Sequence, residues 1–421
     1  MGILLSKTDQ QNRRRLLLYL SIAINIGILG FFKYYNFFLN SFIESFTFFG
    51  ATLEAEYLDI VLPVGISFYT FQTLSYTVDI YRRKMQATTD ILAFLSFVSF
   101  FPQLVAGPIE KAKDLLPQFL VSRRFDYVEA VDGCRQALWG LFKKAVIADN
   151  CAHLVNMVFT EPSSHSGSTL LFGMVFFSFQ IYCDFSGYSD IAIGISRLFG
   201  IRLTQNFNFP YFSRSLTEFW RRWHLSISRW FTDYIYRPLG GSRTSKPKIL
   251  RNVFAVFLLS GLWHGANWTF IVWSLLCVIL IIPSMFTGSN RRYLDTVAQG
   301  KHLPSLKECW LMISTFSINI FLGIFFRAPS IAVAFDYIAS LLTPDIFSIP
   351  NFGGHLGAVR TLTLISFMMT VEWFGREGKH ALDNLTTSIS RPVRWIFYSF
   401  IIFLIGMYMS TDSIDFYYFQ F

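Results

Sequence analysis

The chain has 421 residues, 53% of them hydrophobic and only 15% charged, with a mean hydropathy of +0.42. Soluble domains carry roughly 25% charged residues, so the composition excludes an ordinary soluble protein and indicates a polytopic membrane protein, whose helical domain can use the whole length. The net charge of +9 does not point to nucleic acid, because the basic residues sit in short clusters between apolar runs, as the positive-inside rule expects of cytoplasmic loops facing anionic lipid.

From the N-terminus, Arg13, Arg14 and Arg15 precede an apolar run that starts at Leu16. No small-x-small cleavage pattern follows, and the run is too long for a signal-peptide core, so it reads as a retained first membrane helix. Aromatics around Lys33 close it, as suits a snorkelling lysine at the lipid–water interface. Apolar patterning predicts membrane segments over 16–38, 58–80, 91–109, 132–150, 168–183, 187–200, 253–264, 266–286, 309–327, 331–343, 357–374 and 394–411. With the first arginines cytoplasmic, segment one goes out and segment two returns, which puts Arg82, Arg83 and Lys84 inside. Pro102, Gly107 and Pro108 interrupt the third segment, and basic residues flank it on both sides. A re-entrant hairpin fits this better than a kinked span. Further clusters at Arg123-Arg124, Lys143-Lys144 and between Arg214 and Arg251 read as loop anchors. The five cysteines, Cys134, Cys151, Cys183, Cys277 and Cys309, have neither metal-site nor disulfide-framework spacing and read as small packing residues, so no metal is expected.

The segment 168–190 contains Gln180, Asp184 and Tyr188 at spacings of four, which share a face if the helix is continuous. A carboxylate there needs a partner or a cavity. Either a structural hydrogen-bond network or the lining of a polar path would satisfy it. Gly187 is expected to break the helix between Asp184 and Asp190.

Over 213–238 the sequence Ser215-Leu-Thr-Glu218 is a capping-box pattern, followed by an apolar stripe of Leu216, Phe219, Trp220, Trp223, Ile227, Trp230, Phe231, Tyr234 and Ile235. Glu218, Arg221, Arg222, Arg229 and Asp233 fall opposite. The spacing predicts one basic amphipathic helix lying in the interface and ended by Pro238. His224 falls on its apolar side. It is either an interfacial histidine bonded to a backbone carbonyl or a functional group.

From Val253 to Ile282 the chain holds no charged side chain, and one histidine, His264, sits in the middle of this hydrophobic stretch. As one straight helix this stretch would be roughly 45 Å long against a hydrocarbon core of about 30 Å. The expected break is Gly261-Leu-Trp-His-Gly265. A histidine held there is either a packing residue or a general base kept dry, and burial favours the neutral imidazole that a base requires. The chain contains no P-loop, no dinucleotide glycine motif, no His-Glu-x-x-His and no Gly-x-Ser-x-Gly elbow.

Phe219-Trp-Arg-Arg-Trp-His224, Asp233-Tyr-Ile-Tyr-Arg-Pro238 and Ser260-Gly-Leu-Trp-His264-Gly-Ala together resemble the membrane-bound O-acyltransferase family. Val64-Gly-Ile-Ser-Phe-Tyr-Thr-Phe-Gln72, Phe101-Pro-Gln-Leu-Val-Ala-Gly-Pro108 and Gln180-Ile-Tyr-Cys-Asp-Phe-Ser-Gly-Tyr-Ser-Asp190 narrow the resemblance to the bacterial branch that acetylates alginate or D-alanylates teichoic acid, nearer the alginate type. The likeness runs in order over 16–330. It implies an all-α polytopic membrane domain over 1–421, with its catalytic core over 58–330. Transmembrane and re-entrant helices would ring a thinned centre where two funnels meet at His264. It makes His264 catalytic and His224 the second, less essential histidine. Trp223, Trp263, Asn267, Gln180, Asp184 and Tyr188 become candidates for the substrate path. It implies no bound cofactor, an acetyl-coenzyme A or acyl-carrier thioester as donor on the cytoplasmic side, and an extracytoplasmic acceptor or partner acetyltransferase, in a multi-pass protein of the cell membrane. Family members carry further membrane segments before the part matching 16–38, so a reduced outer ring is expected. Readings from other classes are a channel or lipid transporter, with Asp184, Asp190 and the histidines as a polar path, and a scaffold in which both histidines are dispensable.

Overall fold

The computed structural model describes residues 1–50, 53, 56–104, 106–385 and 389–410. Among these every regular element is helical. Four helices are long and apolar enough to cross a membrane: Gln11–Phe48, Gly167–Leu198, Trp268–Phe286 and Leu306–Arg327. Val105 and residue 411, which belong to the expected segments 91–109 and 394–411, lie outside the described residues. The chain divides into two compact units, Met1–Arg123 with Gly265–Asn267, and Arg124–His264 with Trp268–Phe421.

The first unit begins with a short helix α1 (Gly2–Ser6) and a rod made of α2 (Gln11–Leu29), one π-helical turn (Gly30–Tyr34) and α3 (Tyr35–Phe48). The rod has 38 residues and so measures about 57 Å, longer than the expected 16–38. Its apolar side chains, Leu16, Ile24 and Ile28 among them, are largely exposed, which in a membrane protein is a lipid-facing surface. The rod packs on α4 (Ile66–Tyr81) through polar contacts, Ser21 to Thr77 (3.1 Å) and Thr73 to Asn25 (2.6 Å). Arg14 is not a loop anchor as expected. It is buried, and its guanidinium donates to the carbonyls of Ile80 (3.2 Å) and Tyr81 (2.9 Å) at the end of α4.

The expected span 58–80 is helical only from Ile66. Gly65 starts it with φ of 76°, and a Cβ there would lie 2.4 Å from the Leu104 carbonyl oxygen, so only glycine fits. The proline-rich third segment is broken, as its sequence suggests. It forms α5 (Ile91–Val98), capped by Asp90, and a single turn α6 (Phe101–Leu104) before α7 (Ala112–Phe119). Eight residues rise about 12 Å, so α5 does not span a bilayer.

In the second unit, α8 (Tyr127–Phe142), a π-helical stretch (Lys143–Ala148) and α9 (Asp149–Thr160) run on without interruption beyond the expected 132–150. The expected pair 168–183 and 187–200 is one helix, α10 (Gly167–Leu198), and Gly187 does not break it. Its role is close packing. A Cβ on Gly187 would lie 2.7 Å from the Gly140 carbonyl oxygen, and one on Gly140 would lie 2.5 Å from that of Gly187. Gly133 and Gly194 repeat the arrangement two turns along. Small residues at such crossings let membrane helices approach backbone to backbone.

That approach buries a charge cluster. Lys143, read from sequence as a loop anchor, is 2% exposed. Its Nζ meets Asp190 at 2.6 Å, Ser186 Oγ at 2.9 Å and Glu372 at 3.7 Å. Glu372 accepts from Tyr182 Oη (2.8 Å) and Trp139 Nε1 (3.5 Å), while Gln136 donates to Asp190 (2.7 Å). Two carboxylates share one ammonium, so the lysine is the member the cluster can least lose.

The remaining elements are α11 (Leu216–Trp220), α12 (Leu225–Phe231), α13 (Lys246–His264), α14 (Trp268–Phe286), α15 (Leu306–Arg327), α16 (Ile331–Leu341), α17 (His355–Gly375) and α18 (Arg391–Tyr408). A capping box of Ser305 and Glu308 starts α15. The cysteines are free thiols, with Cys151, Cys183 and Cys277 buried.

Two predictions follow from this packing. Gly187→Val forces the α8 and α10 backbones apart and costs about 1–3 kcal/mol, seen as a lower unfolding temperature in detergent. Gly27→Ala, where a Cβ meets nothing within 4 Å, leaves that temperature unchanged. In the same assay Lys143→Met, which strands two buried carboxylates, costs about 3–5 kcal/mol, whereas Glu372→Gln, which leaves Lys143 and Asp190 as a neutral pair, costs much less.

Candidate active site

His264 is the last residue of α13, and Gly265 follows it outside the helix. The expected break is therefore present at Gly265. Gly261 stays helical and serves packing instead. A Cβ there would lie 2.7 Å from the Phe270 carbonyl oxygen and 2.9 Å from Ser274 Cβ, so its absence lets α14 close on the last turn of α13. The imidazole is 6% exposed. Its neighbours are Trp263 (4.9 Å between ring centroids), Trp273 (5.1 Å, 88°) and Phe326 (5.0 Å, 75°). Near-perpendicular packing of this kind suits the ring quadrupoles and fixes the plane of the imidazole.

A cavity of about 60 Å³ opens beside this ring, lined by residues of α10, α11, α14 and α15 together with Tyr211, Trp223 and His264. A water needs only some 10–15 Å³ on that measure, so the space admits several waters or a short acyl group. Most of its polar groups are engaged. Ser178 Oγ donates to the Met174 carbonyl (2.9 Å), Tyr211 Oη to the Ser178 carbonyl, and Asn319 Nδ2 to the Thr315 carbonyl (2.9 Å). Burial pushes the Tyr211 phenol well above its ordinary value, so it stays neutral. His264 contributes the imidazole of the lining, the side-chain type used most often as a general base.

His224 lies close behind this wall. The expected single amphipathic helix over 213–238 does not form. Helix α11 ends at Trp220, and α12 begins only at Leu225. His224 between them has φ 44° and ψ 57°, a left-handed conformation that costs a non-glycine residue roughly 1–2 kcal/mol. Tertiary hydrogen bonds hold it there. The Leu225 amide donates to the Asn206 carbonyl (2.8 Å), and the Asn208 amide to the Arg222 carbonyl (2.9 Å). Only half of the capping box is made. Ser215 Oγ accepts from the Glu218 amide (3.2 Å), but the Glu218 carboxylate takes the Arg214 amide (2.7 Å) and the guanidinium groups of Arg214 (3.1 Å) and Arg222 (3.0 Å). Glu218, Arg214 and Arg222 are therefore a buried ion cluster and not a solvated face.

The His224 ring is 2% exposed and packs against Phe185 (4.6 Å, 88°), Phe207 (6.4 Å) and Trp263 (5.6 Å). Its Nδ1 lies 2.9 Å from Asn206 Oδ1. Its Nε2 is buried with no hydrogen-bond partner among the described residues. Burial holds this imidazole well below its ordinary value, and the nearby His264 pushes it the same way. Trp263 touches both imidazoles, so the two histidines and this indole form one cluster.

The other residues singled out in the sequence fall as follows. Trp223 lines the cavity. Asn267 lies in the linker Gly265–Asn267. Gln180, Asp184 and Tyr188 share one face of α10, but the residues that α10 gives the cavity are Phe177, Ser178 and Ile181. Asp184 pairs with Lys144 at 2.8 Å. Sequence reasoning missed Asn206 and Glu372. Asn206 lies in an irregular segment without periodicity, and Glu372 lies in a helix without a recognised motif. His380 is buried with its Nε2 3.0 Å from Asp132. Asp132, His380 and Asp383 bring three ligand-type atoms within 4.8 Å of one another, but Arg197 is bound to Asp132 and its charge opposes a cation.

Comparison with known proteins places these features. The model of the membrane-bound O-acyltransferase family matches residues 82–325. The chain is 38% identical, over 85% of its own length and 66% of the relative's, to a Pseudomonas aeruginosa protein named "Probable alginate O-acetylase AlgI". It is 35% identical to the peptidoglycan O-acetyltransferase of Helicobacter pylori, over 81% of the chain and 67% of the relative. A teichoic acid D-alanyltransferase of Bacillus subtilis is 27% identical over 59% of the chain and 63% of the relative. The chain thus spans about two thirds of the length of these curated relatives. The matched region contains α5 to α14 and most of α15, and with them both histidines and all of the cavity lining except Phe326: this integral membrane protein belongs to the membrane-bound O-acyltransferase family.

Proposed function

We propose that the chain is an O-acyltransferase of the cell membrane that moves an acetyl group from a thioester onto a hydroxyl of an exported polysaccharide, with His264 as general base. The observation that carries this reading is the imidazole of His264 in the wall of a small, largely apolar cavity. In the step we envisage, His264 takes the proton of the acceptor hydroxyl as its oxygen attacks the thioester carbonyl. The tetrahedral adduct collapses with cleavage of the C–S bond. The departing thiolate recovers the proton from the imidazolium, so the base is regenerated and no net proton is consumed. With an acyl group filling the cavity, the aromatic wall of Trp223, Trp273 and Phe326 would leave little room for water as a competing nucleophile and would strengthen the local electrostatics.

The donor would be acetyl-coenzyme A or an acyl-carrier thioester presented from the cytoplasm, acting as substrate and not as a bound cofactor. The acceptor would be an extracytoplasmic polymer or a partner acetyltransferase. Acetyl is favoured over D-alanyl because the acetyl-transferring names attach to the relatives of higher identity. Trp223, lining the cavity, and Trp263, touching both imidazoles, would shape the path of the acyl group.

His264→Ala should lower acyl transfer about 10²–10⁴-fold with unchanged membrane insertion, measured as donor-dependent ester formation in reconstituted vesicles. Normal ester formation in that variant would remove His264 from the chemistry. Solute flux without any donor would favour a transporter. Deleting the gene should remove acetate esters from the cell surface and leave alanine esters in place.

A further inference from the structure

The irregular segment before α11 carries Asn206, which is fully buried. Its side chain makes four contacts. Nδ2 donates to Ser189 Oγ (3.0 Å) on α10. Oδ1 receives the Ser226 amide (3.3 Å) and the Ser226 hydroxyl (2.9 Å), and it lies 2.9 Å from His224 Nδ1. A backbone N–H can only donate, so the atom that faces Ser226 must be the amide oxygen. The same oxygen faces His224 Nδ1. Two acceptors cannot share a hydrogen bond, so the proton of the neutral imidazole resides on Nδ1. Nε2 then carries a lone pair.

We propose that Asn206 is a positioning residue that locks His224 in the Nδ1–H tautomer, so that the second histidine presents Nε2 to the reaction only as a hydrogen-bond acceptor. This rests on the acyl-transfer reading for its consequence, though not for its geometry. An acceptor-only His224 cannot donate to the acyl carbonyl and cannot protonate the departing thiolate. Its Nε2 can only receive a hydrogen, from a donor that reaches the ring. The surroundings keep it in that state. Phe185, Phe207 and Trp263 pack on the ring, Asn206 and Ser226 are neutral, and His264 is the titratable neighbour that disfavours a positive charge on it. The left-handed backbone at His224 serves the same end, since Leu225 is tied to the Asn206 carbonyl and the ring to its amide.

The test has two arms. In the first, protein labelled with ¹⁵N-histidine is examined in lipid bilayers by solid-state NMR, and the His224 signals are assigned by their loss in His224→Gln. The expected result is a neutral ring with protonated Nδ1 and bare Nε2, lost or mixed in Asn206→Ala. A wild-type ring that carries its proton on Nε2 overturns the proposal whatever the protein's activity. In the second arm, ester formation from acetyl-coenzyme A is followed in vesicles. Asn206→Ala should lower turnover about tenfold or more, yet cause no further loss in a His224→Ala background. An equal loss in both backgrounds overturns the role through His224. Asn206→Asp retains the acceptor and the fold, but its carboxylate stabilises the imidazolium and raises the pKa of His224. Its activity should therefore be low at neutral pH and return as pH rises. An Asn206→Asp profile identical to wild type also counts against the proposal. Failure of the acyl-transfer reading would appear separately, as full activity in His264→Ala.

Discussion

The architecture around the site depends on one constraint: a helix that stops in apolar surroundings must have its end closed by protein. Helix α13 stops at His264, and the closure comes from α14 and α15. Gly261 gives up its side chain so that α14 can touch the last turn of α13, and Trp273 and Phe326 then fix the imidazole from two sides. The residue that ends the helix is thus also the one that faces the cavity. Moving the break by one residue would rotate the ring by about 100° and turn it away from the wall.

A second layer keeps that geometry rigid. Glycine pairs bring α8 against α10, and the Lys143–Asp190–Glu372 cluster ties both to α17. Helix α10 supplies Phe177, Ser178 and Ile181 to the cavity and Ser189 to the Asn206 amide. The same helix therefore lines the cavity and carries the support of the second histidine. Buried ion clusters contribute little net stability, but they penalise any rearrangement that separates their members. That is a useful property for a site whose groups must stay aligned.

The sequence was legible where one physical signal dominated. Apolar length located most helices, and two glycines around a histidine located the break at 265. It was misleading where a residue type has two uses. Gly187 was read as a helix breaker, but in α10 its value is the absence of a Cβ at a helix crossing. Arg14 and Lys143 were read as loop anchors because they sit in basic pairs and triplets, yet each is buried against partners far away in sequence. The stripe over 213–238 is helical in period, yet backbone hydrogen bonds from 206 and 208 outcompete the helix at 221–224. Tertiary contacts of that kind leave no local pattern, and Asn206 has none. Both histidines were visible from their motifs, but the asparagine that orders one of them was visible only in three dimensions.

The central claim is that acyl transfer takes place in the cavity against His264. The most direct measurement is a structure of the protein in lipid with a thioether analogue of its donor, coenzyme A or carrier-linked, in which a methylene inserted between the sulfur and the carbonyl carbon removes the scissile bond. The account predicts the acyl carbon in the cavity bounded by Tyr211, Trp223 and Phe326, with the His264 imidazole within hydrogen-bonding reach of the position where the attacking oxygen would sit. An analogue bound with its acyl carbon elsewhere, and the His264 ring sealed among its aromatic neighbours, would contradict it.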